Sequence, residues 1–154
     1  MSDQNKSLLI IGAKSDIGIA SGIEFAKNGY DLQLLGRNIH QLEEPCKNII
    51  LEYGISISYY ELDILDIDKF DEFFSSLDRL PEIVICAAGI YSKNFDNLND
   101  VQKVLRTNFE SPAMLLYMFA NRFAKRGSGS IIGISSWAGD RVRGSNLFYG
   151  SSKA

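Results

Sequence analysis

The sequence predicts an α/β domain whose doubly wound parallel sheet is covered by helices on both faces, a three-layer arrangement. Three observations point there. Short β-rich apolar runs alternate with amphipathic stretches across the 154 residues. The first run, Leu8 to Ile11, is stopped by Gly12 and followed at once by apolar residues at helical spacing. The last run, Ile131-Ile132-Gly133-Ile134, ends in two hydroxyls, Ser135 and Ser136, ahead of the stretch Tyr149-Gly150-Ser151-Ser152-Lys153.

Taken in order, Leu8 to Ile11 reads as strand 1, and Ile17, Ile19, Ala20, Ile23 and Ala26 mark one face of the helix after it. Asp31 to Leu35 is strand 2, and Gln41 to Glu52 a helix in which Pro45 is tolerable only in the first turn. Ser56 to Glu61 is β-rich, Ile67 to Leu77 is amphipathic, and Ile83 to Ala87 is an apolar strand behind Pro81. A helical tract runs from Val101 to Lys125 with a kink expected near Pro112, and the strand beginning at Ser130 reads as buried and parallel. This alternation gives the order 3-2-1-4-5, with ligand expected at the carboxyl ends of strands 1 and 4. No repeat or linker interrupts the chain, so residues 1–154 form one domain, with 1–6 as a flexible polar tail.

Composition narrows the function. A net charge of -3 supplies no basic footprint for nucleic acid, and no apolar run is long enough to span a bilayer. The polar amino terminus lacks the pattern of a secretory leader, and Cys46 and Cys86 are isolated thiols without metal-ligand spacing. A cytoplasmic protein is expected. His40 is the single histidine, which argues against a Ser-His-Asp triad and against a multi-histidine metal site, so no metal is expected.

The chemistry-bearing residues fall at two ends. At the first, a glycine turn between strand and helix lets backbone amides and the helix dipole meet a pyrophosphate. Gly12 and Gly18 bracket that turn, and Asp16 between them is expected to turn away or cap the helix. The end of strand 2, Leu34-Leu35-Gly36-Arg37-Asn38, has an arginine and no carboxylate until Glu43. Arginine there suits a 2′-phosphate, so NADP(H) is favoured over NAD(H), with Lys14 adding charge; the bland alternative is two solvated cations. At the second end, Tyr149 and Lys153 stand at i and i+4, side by side on a helix. Phenols ordinarily titrate near ~10, and a fixed ammonium nearby favours the ionised form. Most tyrosine and lysine pairs at this spacing are solvated surface, and the serines upstream are what raise this one.

These motifs together resemble the short-chain dehydrogenases/reductases of the Tyr-x-x-x-Lys type. The resemblance runs from Leu8 to Ala154 through Gly12-Ala13-Lys14-Ser15-Asp16-Ile17-Gly18, Leu62-Asp63-Ile64, Cys86-Ala87-Ala88-Gly89, Asn108, Ser136, Tyr149 and Lys153. It implies a Rossmann-like fold and hydride transfer between NADP(H) and a small carbonyl or alcohol. Tyr149 is implied as the acid or base, Ser136 as donor to the substrate oxygen, Lys153 as partner of tyrosine and ribose, and Asn108 as holder of a water. The implied cofactor residues are Gly12, Lys14, Ser15, Ile17, Gly18, Arg37, Asp63, Ile64, Ala87, Ala88 and Gly89, with Tyr149 and Lys153. Of the serines, strand alternation admits only one to the cleft, and family spacing selects Ser136.

Two departures stand out. Asp16 replaces the usual middle glycine, and Cys86 and Ala87 replace two asparagines whose hydrogen bonds must be supplied otherwise. The loop Ala138-Gly139-Asp140-Arg141-Val142-Arg143-Gly144-Ser145-Asn146 is similar to that of reductases acting on a lipid-linked 2-keto pentose, where Arg141 and Arg143 would meet an anionic substrate or lie exposed as ordinary loop arginines. Family members continue past this motif, so the chain is expected to be truncated, without the C-terminal strands, and as such a poor catalyst exposing strand 5. A homo-oligomer through the long helix and the Tyr/Lys helix is implied for the complete fold. A nucleotide-binding module without turnover and a scaffold that binds no dinucleotide are the competing classes.

Overall fold

The computed structural model describes residues 6–91, 97–141 and 143–154; the expected tail, apart from Lys6, and Val142 lie outside them. Five parallel strands, β1 (Ser7–Ile11), β2 (Asp31–Gly36), β3 (Ile57–Glu61), β4 (Ile83–Cys86) and β5 (Ser130–Gly133), form one sheet in the order β3-β2-β1-β4-β5. Ile11 pairs with Leu35 on one side and Cys86 on the other, so the carboxyl ends of β1, β2 and β4 finish level.

Alternation along the strands divides the core. Leu9, Ile11, Leu35, Val84 and Cys86 face Phe70 and Phe73 of α3 (Phe70–Ser76) and Leu115, Phe119 and Phe123 of α5 (Ser111–Arg126). Leu8, Ile10, Leu32, Leu34 and Ile85 face the opposite side, against Ala26 of α1 (Asp16–Lys27) and Cys46 of α2 (Glu43–Tyr53). Both faces of β1 are thus covered, which is why its sequence is apolar without interruption.

Local chemistry sets the helix ends. Ser15, not Asp16, caps α1, its hydroxyl accepting the Gly18 amide at 3.0 Å; Asp16 is exposed in the first turn, where its charge suits the dipole. Pro45 falls in the first turn of α2, as its missing donor requires.

The long tract begins earlier than its periodicity suggests, at Leu98, because Asn97 accepts the amides of Asn99 and Asp100. It comprises α4 (Leu98–Leu105), a π turn at Arg106–Glu110 and α5. The irregularity therefore precedes Pro112, which sits at the start of α5. Proline has no N–H and its ring crowds the carbonyl four residues back, so a wider turn with Ser111 donating to the Arg106 carbonyl relieves both.

The expectation of a buried strand fails at β5, although its parallel pairing holds. Its residues are all exposed, with Ile131 at 37% and Ile132 at 40%, since β5 pairs with β4 alone and is the edge of the sheet. Beyond it follow α6 (Trp137–Asp140), a 3-10 turn at Gly144–Asn146 and α7 (Leu147–Lys153).

Candidate active site

A cleft of about 420 Å³ opens at the carboxyl ends of β1 and β4, the point where strand order reverses. The turn after β1 lends it Gly12, Lys14 and Ser15; the end of β2 lends Arg37. Asp63 and Ile64 follow β3, and Ala87, Ala88 and Gly89 follow β4. Ile17 and Gly18 do not line it: Ile17 is exposed, and Gly18 packs so closely that a Cβ would stand 2.8 Å from the Gly12 carbonyl oxygen. Pattern reading missed Lys103 and Thr107, which reach the cleft from the α4 and π-turn segment. Their approach depends on how that helix crosses the sheet, and no local signal carries it.

The glycines here make room for protein. At Gly12, with φ +79°, a Cβ would lie 2.7 Å from the Ala88 amide nitrogen, so this glycine lets the β1 and β4 loops touch. At Gly89 a Cβ would lie 3.2 Å from Lys153 Nζ and 3.4 Å from Asn108 Oδ1. Main-chain bonds hold this segment in the sheet: Ala87 N–H donates to the Ile11 carbonyl at 2.9 Å and Ile134 N–H to the Cys86 carbonyl at 3.0 Å.

At the rim beside β2, Arg37 meets Asp63 at 3.4 Å and Lys14 donates to Gln41 at 2.6 Å. Thr107 carries a buried hydroxyl with no hydrogen-bond partner among the described residues. A narrow floor, a helix amino terminus and two cations at one rim fit a pyridine dinucleotide that carries phosphates.

At the other end, Asn108 lies in the π turn, which swings its amide sideways. It accepts Ile90 N–H at 2.7 Å and donates to the Ile90 carbonyl at 2.9 Å and to Ser152 Oγ at 3.0 Å. Ser152, buried and not singled out by pattern, donates to the Tyr149 carbonyl at 2.7 Å. The π turn is thereby tied to the helix bearing Tyr149 and Lys153. Lys153 Nζ donates to the Ile134 carbonyl at 3.1 Å. Burial pushes this ammonium below the ordinary lysine value, with Cys86 pulling the other way, and burial pushes the Cys86 thiol up. The Tyr149 ring meets Tyr91 edge-on, centroids 4.9 Å apart and planes at 89°.

Strand alternation does not choose between the serines, because β5 ends at Gly133 and both lie in the connection beyond it. Ser135 Oγ donates to the Lys153 carbonyl at 2.5 Å, whereas Ser136 Oγ caps α6 by accepting the Ala138 amide at 3.2 Å and keeps its own proton to donate. Trp137 is exposed, and the Arg143 guanidinium lies 5.3 Å from its ring centroid; Arg141 is exposed. Among the described residues no cluster of histidine, cysteine or carboxylate could hold a metal, and no helix is long and apolar enough to cross a membrane.

Residues 6–154 match the short chain dehydrogenase family. The chain belongs to that family. A relative among curated proteins is the 7beta-hydroxysteroid dehydrogenase of Clostridium sardiniense, 30% identical over 135 residues, covering 85% of this chain and 52% of the relative. Another is the fatty acyl-CoA reductase of Acinetobacter baylyi, 28% identical, covering 86% of this chain and 48% of the relative. Among solved structures, a short-chain dehydrogenase of Sphingobium yanoikuyae in complex with NADPH superimposes with a TM-score of 0.86 at 25% identity, over 96% of this chain and 60% of that one. This short-chain dehydrogenase chain thus spans about half the length of these two curated relatives.

Proposed function

We propose that the protein is an NADP(H)-dependent oxidoreductase that moves a hydride between the nicotinamide and a small carbonyl or alcohol. The observation that carries this is the pairing of a phosphate-ready cleft with Asn108 and Lys153 beside Gly89 at its far end. NADP(H) is supported by Arg37 and Lys14 at the adenosine rim and by relatives that carry it, such as ElxO with NADP bound, at 25% identity and a TM-score of 0.85 over 97% of this chain and 63% of that one.

The cofactor, when bound, supplies or accepts the hydride at carbon. In reduction Tyr149 gives its hydroxyl proton to the substrate oxygen, and Ser136 donates a hydrogen bond to the same oxygen, stabilising the charge that develops there. Lys153, its ammonium held by the Ile134 carbonyl and standing next to Gly89, is the group that would meet the ribose. Asn108 acts through geometry, clamping Ile90 and Ser152 so that Tyr149 stands in register.

Trp137 with Arg143 stacked above it offers an aromatic and cationic rim. With the loop around Arg141, it makes an anionic or lipid-linked keto-sugar the first substrate to test. Leu98, Leu105, Phe109, Met114 and Tyr117 lie exposed along α4, the π turn and α5, and we assign that stripe to packing between two copies of the chain. The deciding experiment follows absorbance at 340 nm with NADPH and a panel of keto-sugars, ketosteroids and aliphatic ketones. Substrate-dependent loss supports the reading; NADPH binding without turnover on any carbonyl replaces it with a binding module.

A further inference from the structure

Both cations of the adenosine rim depend on one turn. Arg37 lies two residues before the 3-10 turn Ile39–Leu42, and Lys14 is bonded to Gln41 within it at 2.6 Å. The turn is entered through Asn38 at φ 50°, the one non-glycine residue with positive φ among the described residues. That region is disfavoured for a residue with a Cβ and is least costly for asparagine and aspartate. Asn38 makes no side-chain cap to offset it, so the first two amides of the turn need an acceptor from elsewhere.

Glu61 supplies it. As the last residue of β3, paired in register with Gly36, it reaches across the end of β2. One carboxylate oxygen accepts Asn38 N–H at 2.7 Å and the other accepts Ile39 N–H at 2.8 Å. These two amides hold its carboxyl below the usual carboxylate range, with His40 and Lys14 adding to the effect. The side chain is exposed, so burial does not force the arrangement. Because the amides are taken, a 2′-phosphate would have to be held by side chains. Arg37 would be drawn from Asp63, whose oxygen it meets at 3.4 Å.

We propose that Glu61 is a positioning residue for cofactor choice. Its two-pronged grip on the backbone at Asn38 and Ile39 aims Arg37, and through Gln41 also Lys14, at the 2′ position of the adenosine ribose. The inference rests on the NADP(H) reading above. A carboxylate at this place would otherwise repel phosphate; here its effect through the two cations outweighs its own charge.

Calorimetric titration of the chain with NADPH and NADH tests it, using wild type, Glu61→Ala, Arg37→Ala and the double variant. Glu61→Ala should weaken NADPH by about tenfold or more and NADH by less than about threefold, and the double variant should bind NADPH no more weakly than Arg37→Ala. A loose loop without an aiming role would weaken both nucleotides alike. Equal losses, additive losses, or an unmoved ratio in Arg37→Ala each overturn the inference while leaving the cofactor reading standing. Wild type that binds neither nucleotide overturns both. If Glu61→Ala is unfolded by circular dichroism, Glu61→Gln takes its place: it keeps one carbonyl oxygen for one of the two amides and should move the ratio part of the way, and an unmoved ratio there also overturns the inference.

Discussion

The two ends of the cleft are built differently. At the adenosine end, β1 is buried along its whole length, β2 nearly so, and the loops are tied by paired backbone and carboxylate bonds such as those of Glu61. At the other end, β5 is exposed throughout, and the serines and Tyr149 stand on segments joined by a few side-chain bonds, Asn108 to Ser152, Ser135 to Lys153 and Lys153 to Ile134. The half around β1 and β2 therefore holds its shape through a two-sided core, while the half around β5 and α7 holds its shape through a few directional contacts. Nucleotide binding should survive perturbations that abolish turnover.

Tyr149→Phe gives the largest expected separation. Loss of the transferred proton should lower kcat by about 10²- to 10⁴-fold while leaving the calorimetric affinity for NADPH within about twofold. An equal fall in both would show that the two ends are not independent.

Cavity formation tests the same contrast through stability. Leu9→Ala in the two-sided core should cost about 2–5 kcal/mol by denaturant unfolding, whereas Ile132→Ala on exposed β5 should cost about 1 kcal/mol or less. Comparable losses would mean that β5 is covered in solution.

Asn108→Ala removes the partner of Ile90 and Ser152 and leaves buried polar groups unmatched, so about 2–4 kcal/mol should be lost. The loosened segment should be α7, read by faster amide exchange from Phe148 to Ser152 with little change in β1.

The smallest effect is the pH dependence of Lys153. Its value in the fold lies below the ordinary 10.5, so between those two values the unfolded chain binds more protons than the fold. Stability from this group therefore rises with pH across that alkaline window and is flat below it. Denaturant midpoints compared with Lys153→Met should differ in slope there, and parallel slopes would contradict the burial of the ammonium.

Much of this was legible in the sequence because it is local. The strand order rests on alternation of apolar runs and amphipathic stretches, and the placement of Pro45 rests on a missing donor. Gly12 was marked for the approach of a pyrophosphate, and the neighbour its missing Cβ admits in the fold is the Ala88 backbone. Asp16 was considered as a cap because acidic residues favour helix starts, yet Ser15 stands one residue nearer the turn and takes the Gly18 amide. Burial of β5 was misread because an apolar run looks the same at the centre of a sheet and at its edge; only the number of neighbouring strands separates them.

The sequence by itself determined the order of elements, the parallel sheet and the switch point at which a ligand belongs, since these follow from periodicities of a few residues. The tertiary structure decided which side chains meet. Asn108 clamps Ile90 and Ser152, Ser135 and Ser136 serve different helices, and Glu61 grips the turn after β2. Each of these pairings except the Ser136 cap joins residues far apart in the chain, and distance along a chain carries no record of distance in the fold.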